Sequence, residues 1–149
     1  MKEKEKIFNQ IQTLLNCQHF GVLATQGLEY PYCTLVGYAV SGDGKEILFA
    51  TIRDTRKYKN LKIEPKVSLL IDSQTNKKND FKDAQALTVL GAAKEVEIGA
   101  YEVYLGLYLK KHPYLKEFVS SSNCALIKVN VSKYILVNNF KNVFEYSIN

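Results

Sequence analysis

The sequence predicts a mainly β protein, an antiparallel β-barrel of six or seven strands that is closed or partly closed and has flanking helices. Short runs rich in Val, Ile, Thr and Tyr recur along the chain and alternate with turn residues. Most of these runs follow one another through hairpin-like connections, which favours antiparallel pairing. Helical spacing is confined to the start, the middle and a late segment of the chain. Because so small a barrel fills its own interior with side chains, we expect a ligand to bind in an outer groove or between subunits.

The first third of the chain predicts one helix and a three-stranded meander. Residues 3–16 place apolar side chains at helical spacing, namely Ile7, Ile11, Leu14 and Leu15. The strands that follow are predicted over residues 20–25, 30–40 and 46–51. Gln26-Gly27 and the Ser-Gly-Asp-Gly segment at 41–44 supply the turns.

A short basic helix is predicted between two strands in the middle of the chain. An apolar run at 47–50 ends at Thr51, and a second run at 67–71 begins after Pro65. Thr55 is a typical N-cap residue, so the helix is expected to begin at Arg56. Pro65 ends it before the next strand.

The start of this helix is a candidate anion site. Free backbone N–H groups at a helix N-terminus attract negative charge, and cations in the first turn are unfavourable unless an anion offsets them. Arg56 and Lys57 occupy that first turn, with the hydroxyls of Thr51 and Thr55 close by in sequence. We therefore expect a phosphate pocket, while a solvated basic helix is the alternative that charge alone leaves open.

The remainder of the chain predicts two long strands, a broken helix and a final short strand. A polar loop covers residues 72–80, and a strand with a bulge at Gly91 covers 86–96. Residues 98–119 are predicted to be mostly helical, with a break at Pro113. The last predicted strands are residues 124–131 and 133–137, followed by a mixed tail.

Composition excludes several classes of protein. The 149 residues are expected to form a single domain over 1–149, with a net charge of +5 and no apolar stretch long enough to span a membrane. The charged N-terminus and three scattered cysteines favour a cytoplasmic protein, and no zinc site is expected. A basic protein of this kind also suits nucleic acid, but no nucleic-acid motif is present, so that partner is not favoured.

Six segments in register resemble the pyridoxamine 5'-phosphate oxidase-like family of FMN-binding split barrels, over roughly residues 15–137. The segments are FGVLAT (20–25), PYCTLV (31–36), FAT (49–51), TRKYKNL (55–61), PKVSLL (65–70) and LTVLG (87–91). The resemblance implies a six- to seven-stranded antiparallel split β-barrel with flanking helices, and a homodimer with FMN at the subunit interface.

The resemblance also implies which residues contact the cofactor. Thr51, Thr55, Arg56 and Lys57 become phosphate ligands, while Cys33 and its neighbours run along the flavin. Asn60 supports the helix or reaches the ligand, and the 74–76 segment is a candidate for the polar edge of the flavin. The full set of expected FMN-binding residues is Thr34, Leu35, Val36, Ala50, Thr51, Thr55, Arg56, Lys57, Asn60, Gln74, Thr75 and Asn76.

Departures from the family pattern bear on activity. Cys33 stands where the vitamin-forming oxidases have an arginine, and the C-terminal segment lacks their Arg, His and Trp residues. These differences argue against oxidation of pyridoxamine phosphate itself. We therefore expect an FMN-dependent oxidoreductase, similar to a flavin reductase, with an unidentified substrate.

Three alternatives remain at the level of sequence. A non-enzymatic flavin or haem carrier or sensor is one, with His19 and His112 as the only histidines that could serve as axial ligands. A deazaflavin-binding reductase is another, because its phosphate recognition resembles that of FMN. A basic module that binds nucleic acid or a protein partner is the third.

Overall fold

The computed structural model describes residues 2–149, and Met1 of the charged N-terminal segment lies outside the described residues. The strands are β1 (Phe20–Gln26), β2 (Pro31–Val40), β3 (Glu46–Ile52), β4 (Lys66–Asp72), β5 (Gln85–Glu95), β6 (Cys124–Asn138) and β7 (Asn142–Ser147). The helices are α1 (Glu3–Cys17), α2 (Arg56–Ile63), α3 (Asp80–Asp83), α4 (Tyr101–Lys111) and α5 (Lys116–Ser120), with 3₁₀ turns at Ile98–Ala100 and Pro113–Leu115.

Six of the strands close into an antiparallel barrel. Their order is β3-β2-β1-β4-β5-β6, and pairing of β3 with β6 closes the ring. The 15-residue β6 is long enough to pair with β5 on one edge and with both β3 and β7 on the other. The predicted mainly β, antiparallel barrel with flanking helices is therefore confirmed.

Two apolar layers hold the barrel and its helices together. Inward-facing strand residues fill the interior, and α1 packs its buried face (Ile7, Ile11, Leu14 and Leu15) against the same core. A second cluster lies outside the barrel, where Tyr108 of α4 and Val119 of α5 pack against Leu48 and Leu126. Because both faces of β6 are covered there, its first four residues are all buried.

A β-bulge interrupts the pairing of β5 with β6, as the sequence predicts. Leu90 pairs with Lys133 but Gly91 pairs with Val131, so one residue of β6 has no partner. A Cβ atom on Gly91 would clash with the carbonyl oxygen of Asn130, so the close approach of the two backbones requires glycine.

Two sequence-based assignments near the C-terminus are wrong. Residues 124–131 and 133–137 were expected to be separate strands, but β6 runs through both because the bulge absorbs the break in alternation. The strand ending at residue 137 was expected to be the last, with a mixed tail after it, but the tail forms β7 after a turn in which Asn139 and Phe140 have positive φ. The polar loop also ends earlier than predicted, because α3 begins at Asp80.

Candidate functional site

A groove opens where β2 and β3 part from each other. These strands pair with each other only from Tyr38 with Phe49 to Val40 with Ile47. The part of β2 before Tyr38 and the part of β3 after Phe49 are therefore not hydrogen-bonded to each other. The space between them is a cavity of about 440 Å³. It is lined by Phe20, Leu35, Val36, Gly37, Ala50, Thr51, Ile52, Thr55, Lys57, Tyr108, His112, Tyr114, Leu115 and Phe118.

The N-terminus of α2 forms one end of the groove. Thr55 is the N-cap, as predicted, and its hydroxyl accepts a hydrogen bond of 3.3 Å from the backbone N–H of Tyr58. The hydroxyls of Thr51 and Thr55 lie 3.0 Å apart. Helix geometry leaves the first backbone N–H groups of α2 without intrahelical acceptors. This end of the groove therefore offers hydroxyls and N–H donors to an anion.

Lys57 adds a positive charge to the same end. Its side chain lines the groove, and partial burial lowers its pKa from the ordinary lysine value. The described residues that line the groove include no Asp or Glu. A bound anion would therefore offset the desolvation of this ammonium group without competition from a neighbouring carboxylate.

Arg56 lies outside the groove, although the sequence grouped it with Lys57. Its guanidinium carbon is 5.1 Å from the centre of the Tyr32 ring. It borders a separate cavity of about 230 Å³, formed with Tyr30 and the turn after β1. Successive residues of a helix point about 100° apart, so Arg56 and Lys57 face different surroundings.

Asn60 is buried inside the protein and does not line the groove. Its side-chain N–H donates to the Thr25 hydroxyl over 3.0 Å, which ties α2 to β1. Its amide oxygen also packs so closely against Gly27 that a Cβ atom there could not fit. Of the two roles considered for Asn60, support of the helix is the one the contacts favour.

The 74–76 segment is away from the groove and is organised by α3. The Asp80 carboxylate accepts hydrogen bonds from the backbone N–H groups of Thr75, Asn76 and Lys77, and from the Thr75 hydroxyl. The backbone bond from Thr75 is the largest of the contributions that lower the pKa of Asp80. Gln74 borders a small cavity of about 130 Å³ on the outer face of the barrel.

The four residues expected to follow the flavin take different positions. Leu35 and Val36 line the groove. Thr34 does not line it, and its hydroxyl oxygen is buried with no hydrogen-bond partner among residues 2–149. Cys33 is exposed and is not among the residues that line the groove.

The opposite wall of the groove comes from the late helical segment, for whose Tyr and Phe residues the sequence predicted no role in a site. Tyr108, Tyr114 and Phe118 of this segment line the cavity. His112 is 1% exposed, and its Nε2 lies 2.7 Å from the Tyr38 carbonyl oxygen. Because a carbonyl only accepts, Nε2 is the donor. Burial is the main reason that the pKa of His112 is lowered.

Other kinds of site find little support. No group of three or more His, Cys, Asp and Glu residues within residues 2–149 lies close enough together to hold a metal ion. No helix in this part of the chain combines the length and apolar character needed to cross a membrane.

The fold and the groove define a split-barrel protein with a candidate site for an anionic ligand. The model of the pyridoxamine 5'-phosphate oxidase family matches residues 7–138, so the chain belongs to that family. A search of curated proteins finds no significant match.

Solved structures share this fold at low sequence identity. A haem-binding protein from Mycobacterium smegmatis matches with a TM-score of 0.81 and 18% identity, over 91% of this chain and 55% of that one. General stress protein 26 from Bacillus anthracis matches with a TM-score of 0.71 and 21% identity, over 99% and 100%. An FAD-binding protein from Mesorhizobium loti matches with a TM-score of 0.69 and 14% identity, over 87% and 90%. The chain thus spans about half the length of the haem-binding protein, and these likenesses concern the fold.

Proposed function

We propose that the protein binds FMN in the groove between β2 and β3 and acts as an FMN-dependent oxidoreductase, similar to a flavin reductase, on an unidentified substrate. The observation that carries this proposal is the end of the groove at α2, where the Thr51 and Thr55 hydroxyls lie 3.0 Å apart and Lys57 lines the same cavity. The family assignment and the flavin-binding relative agree with it.

The phosphate of FMN is assigned to the N-terminus of α2. The phosphate carries nearly two negative charges, which would be stabilised by the positive end of the helix dipole, by the free backbone N–H groups and by Lys57. Each charge-assisted hydrogen bond contributes about 1.5–3 kcal/mol. Arg56 joins the site only if it leaves Tyr32, so Lys57 is the principal cation of this proposal.

The flavin ring is assigned to the wider part of the groove. A volume of about 440 Å³ falls in the range typical of small-molecule sites. The free edge of β2 near Leu35 and Val36 offers backbone donors and acceptors, while Tyr108 and Phe118 offer apolar surface. When bound, the flavin supplies the electron-transfer chemistry. The chain itself holds the cofactor, orients it and limits access of water.

A homodimer is part of the proposal because an uncharged surface adjoins the groove. Cross-strand pairing aligns Ile135, Thr88, Leu70, Val22 and Leu35 in one row across five strands. Leu70 is 41% exposed and Leu35 67%. Since Leu35 belongs both to this row and to the groove, a second copy seated here would bring FMN to the interface. In that arrangement the 74–76 segment would reach the flavin from the other copy.

Oxidation of pyridoxamine phosphate is not part of the proposal. Cys33 is exposed at the start of the segment where the vitamin-forming oxidases have an arginine. Residues 138–149 contain no Arg, His or Trp, which those enzymes use in their C-terminal segment. Among the described residues that line the groove, Lys57 is the one Lys or Arg, so a second phosphate would find no further such cation there.

A haem carrier is the second candidate, supported by the fold shared with the haem-binding relative. His112 is a poor axial ligand because its ring is buried and its Nε2 is bonded to Tyr38. His19 is exposed and is the better candidate. A Soret band that is lost in His19→Ala and kept in His112→Ala would favour this function.

The test is titration of the purified protein with FMN and with riboflavin, which has the same ring and no phosphate. We expect FMN to bind in the micromolar range or tighter. Lys57→Met should weaken FMN binding by about tenfold or more, equivalent to one charge-assisted bond, and leave riboflavin binding unchanged. Lys59→Met is the matched control, because Lys59 lies on the same helix and pairs with Asp54 in solvent. Failure of the wild-type protein to bind FMN would overturn the proposal, and deazaflavin and haem would then be titrated in the same way.

A further inference from the structure

The groove occupies the place where a longer β2–β3 ladder would lie. Ser41 donates its backbone N–H to the Glu46 carbonyl, and hydrogen-bonded pairs alternate along an antiparallel ladder. Continuing the register from Tyr38 and Phe49, the next pair is Gly37 with Ala50, and it should exchange hydrogen bonds. Pairing stops at this point, and the residues that would have paired line the cavity instead.

The hydroxyl of Tyr108 lies at the position of the missing pair. It donates a hydrogen bond of 2.9 Å to the Gly37 carbonyl oxygen. Burial raises the pKa of Tyr108 to about 12, and the nearby backbone of Ala50 acts in the opposite direction. The phenol oxygen is therefore bonded to the Gly37 carbonyl and lies beside the Ala50 backbone, and these are the two groups that a continuous ladder would join directly.

The next position on β2 is held by the same helical segment. His112 donates to the Tyr38 carbonyl over 2.7 Å, while the Tyr38 N–H donates to the His19 carbonyl. A Cβ atom on Gly37 would lie 3.6 Å from both the Tyr108 hydroxyl and the His112 ring. The carbonyls of two consecutive residues of β2 are thus bonded to side chains of α4 and of the residue that follows it, instead of to a neighbouring strand.

We propose that Tyr108 is the wedge that splits the barrel: its hydroxyl replaces the Gly37–Ala50 hydrogen bond, keeps β2 and β3 apart, and so creates the ligand groove. Tyr108 is a positioning residue in this role, and His112 fixes the neighbouring part of β2. Without the hydroxyl, Gly37 and Ala50 pair directly, and Val36 then approaches Thr51. The groove narrows along its length, including the part assigned to the ring of the ligand.

The wedge is tested first without any ligand. Tyr108→Phe and Tyr108→Met both remove the hydroxyl, and two variants are made because one may fold poorly. NMR measures the scalar coupling across a hydrogen bond from the Ala50 amide to the Gly37 carbonyl. We expect no coupling in the wild-type protein and a measurable coupling in the variants. Tyr104→Phe is the control, since Tyr104 is on the same helix and bonds to Glu46 away from the groove.

Ligand binding gives a second readout, and this part rests on the proposed function. Closure of the groove should weaken FMN and riboflavin alike, by about tenfold, which corresponds to roughly the net contribution of one hydrogen bond. A change at the phosphate site would instead affect FMN alone. The wedge is refuted if the folded variants show no Gly37–Ala50 coupling, or if both affinities stay within twofold of those of Tyr104→Phe. If wild-type protein binds no flavin, the proposed function fails, but the coupling experiment still decides the role of Tyr108.

Discussion

The side-chain oxygens of Thr51 and Thr55 are 3.0 Å apart, which joins the end of β3 to the N-cap of α2. Both hydroxyls also lie within hydrogen-bond distance of the Ile52 carbonyl, at 3.1 Å and 2.8 Å. The sharp connection between strand and helix is therefore held by side chains that also border the candidate anion site. Stability and ligand binding are coupled at this point.

Thr55→Ala should destabilise the protein by about 1 kcal/mol, the usual effect of removing an N-cap hydroxyl. The measurement is urea unfolding followed by circular dichroism. Thr13→Ala is the control, because Thr13 is exposed within α1 and its hydroxyl donates to the Asn9 carbonyl of its own helix. Equal stability of Thr55→Ala and wild type would show that the cap contributes nothing.

Lys111 should make stability rise with pH in the alkaline range. Burial lowers its pKa to about 8, while its Nζ donates to the Leu15 carbonyl and lies 3.9 Å from the centre of the Tyr38 ring. Below pH 8 the Lys111 ammonium group is charged in both the folded and the unfolded protein. The folded protein is then destabilised by the full free energy of burying this charge. Between pH 8 and 10.5 the folded state releases this proton while the unfolded state keeps it, which favours folding.

The experiment for Lys111 is urea unfolding between about pH 7.5 and 9.5, a range that stops before unfolded tyrosines ionise. Lys111→Met should flatten the rise in stability, whereas Lys110→Met, a change at the exposed neighbouring position, should keep it. An identical pH profile for wild type and Lys111→Met would contradict the prediction.

Gly91→Ala should destabilise the barrel by about 2–3 kcal/mol, since the new methyl group meets the Asn130 backbone and neither strand can move freely. Gly106→Ala offers the opposite case, because within residues 2–149 nothing beyond the backbone of α4 itself lies within 4 Å of the added Cβ. Gly106→Ala should therefore stabilise the folded protein by up to about 1 kcal/mol, because alanine has a higher helix propensity than glycine. Thermal unfolding of the two variants, measured side by side, tests both the expected loss of stability in Gly91→Ala and the expected gain in Gly106→Ala.

The Asn60–Thr25 hydrogen bond should show strong coupling in a double-mutant cycle. Asn60→Ala and Thr25→Val each leave a buried polar group without its partner, which costs about 1–3 kcal/mol. The double variant should lose less than the sum of the two. FMN affinity should change little in any of the three proteins, because Asn60 is not in the groove. A large loss of affinity in Asn60→Ala alone would place this residue among the cofactor ligands.

Local chemistry explains what the sequence could predict. The N-cap at Thr55, the break at Pro113 and the bulge at Gly91 each depend on the properties of one residue and its neighbours, and all three are confirmed. Lys57 and the hydroxyls of Thr51 and Thr55 were grouped correctly because a strand and the helix that follows it meet at one end.

The missed features depend on contacts between distant parts of the chain. Tyr108 meets Gly37 across 71 positions, and no local pattern distinguishes this tyrosine from its packed neighbours. The strand β7 was missed because its residues alternate only weakly between apolar and polar types. Its turn also uses Asn139 and Phe140 where a glycine would have signalled a turn. Arg56 was placed with Lys57 because sequence proximity ignores the rotation between successive helix residues.

Closure of the barrel through β3 and β6 also determines when the groove can form. The pairs run from Glu46 with Asn130 to Ile52 with Cys124, so they join segments more than seventy residues apart. The chain loses loop-closure entropy before such non-local pairs can form their stabilising contacts, and this slows folding. During synthesis, β1 to β3 can emerge and pair as a meander, but β3 has its second neighbour only after residue 130 has left the ribosome. A cofactor that needs the finished groove can therefore be loaded only after β6 has been synthesised.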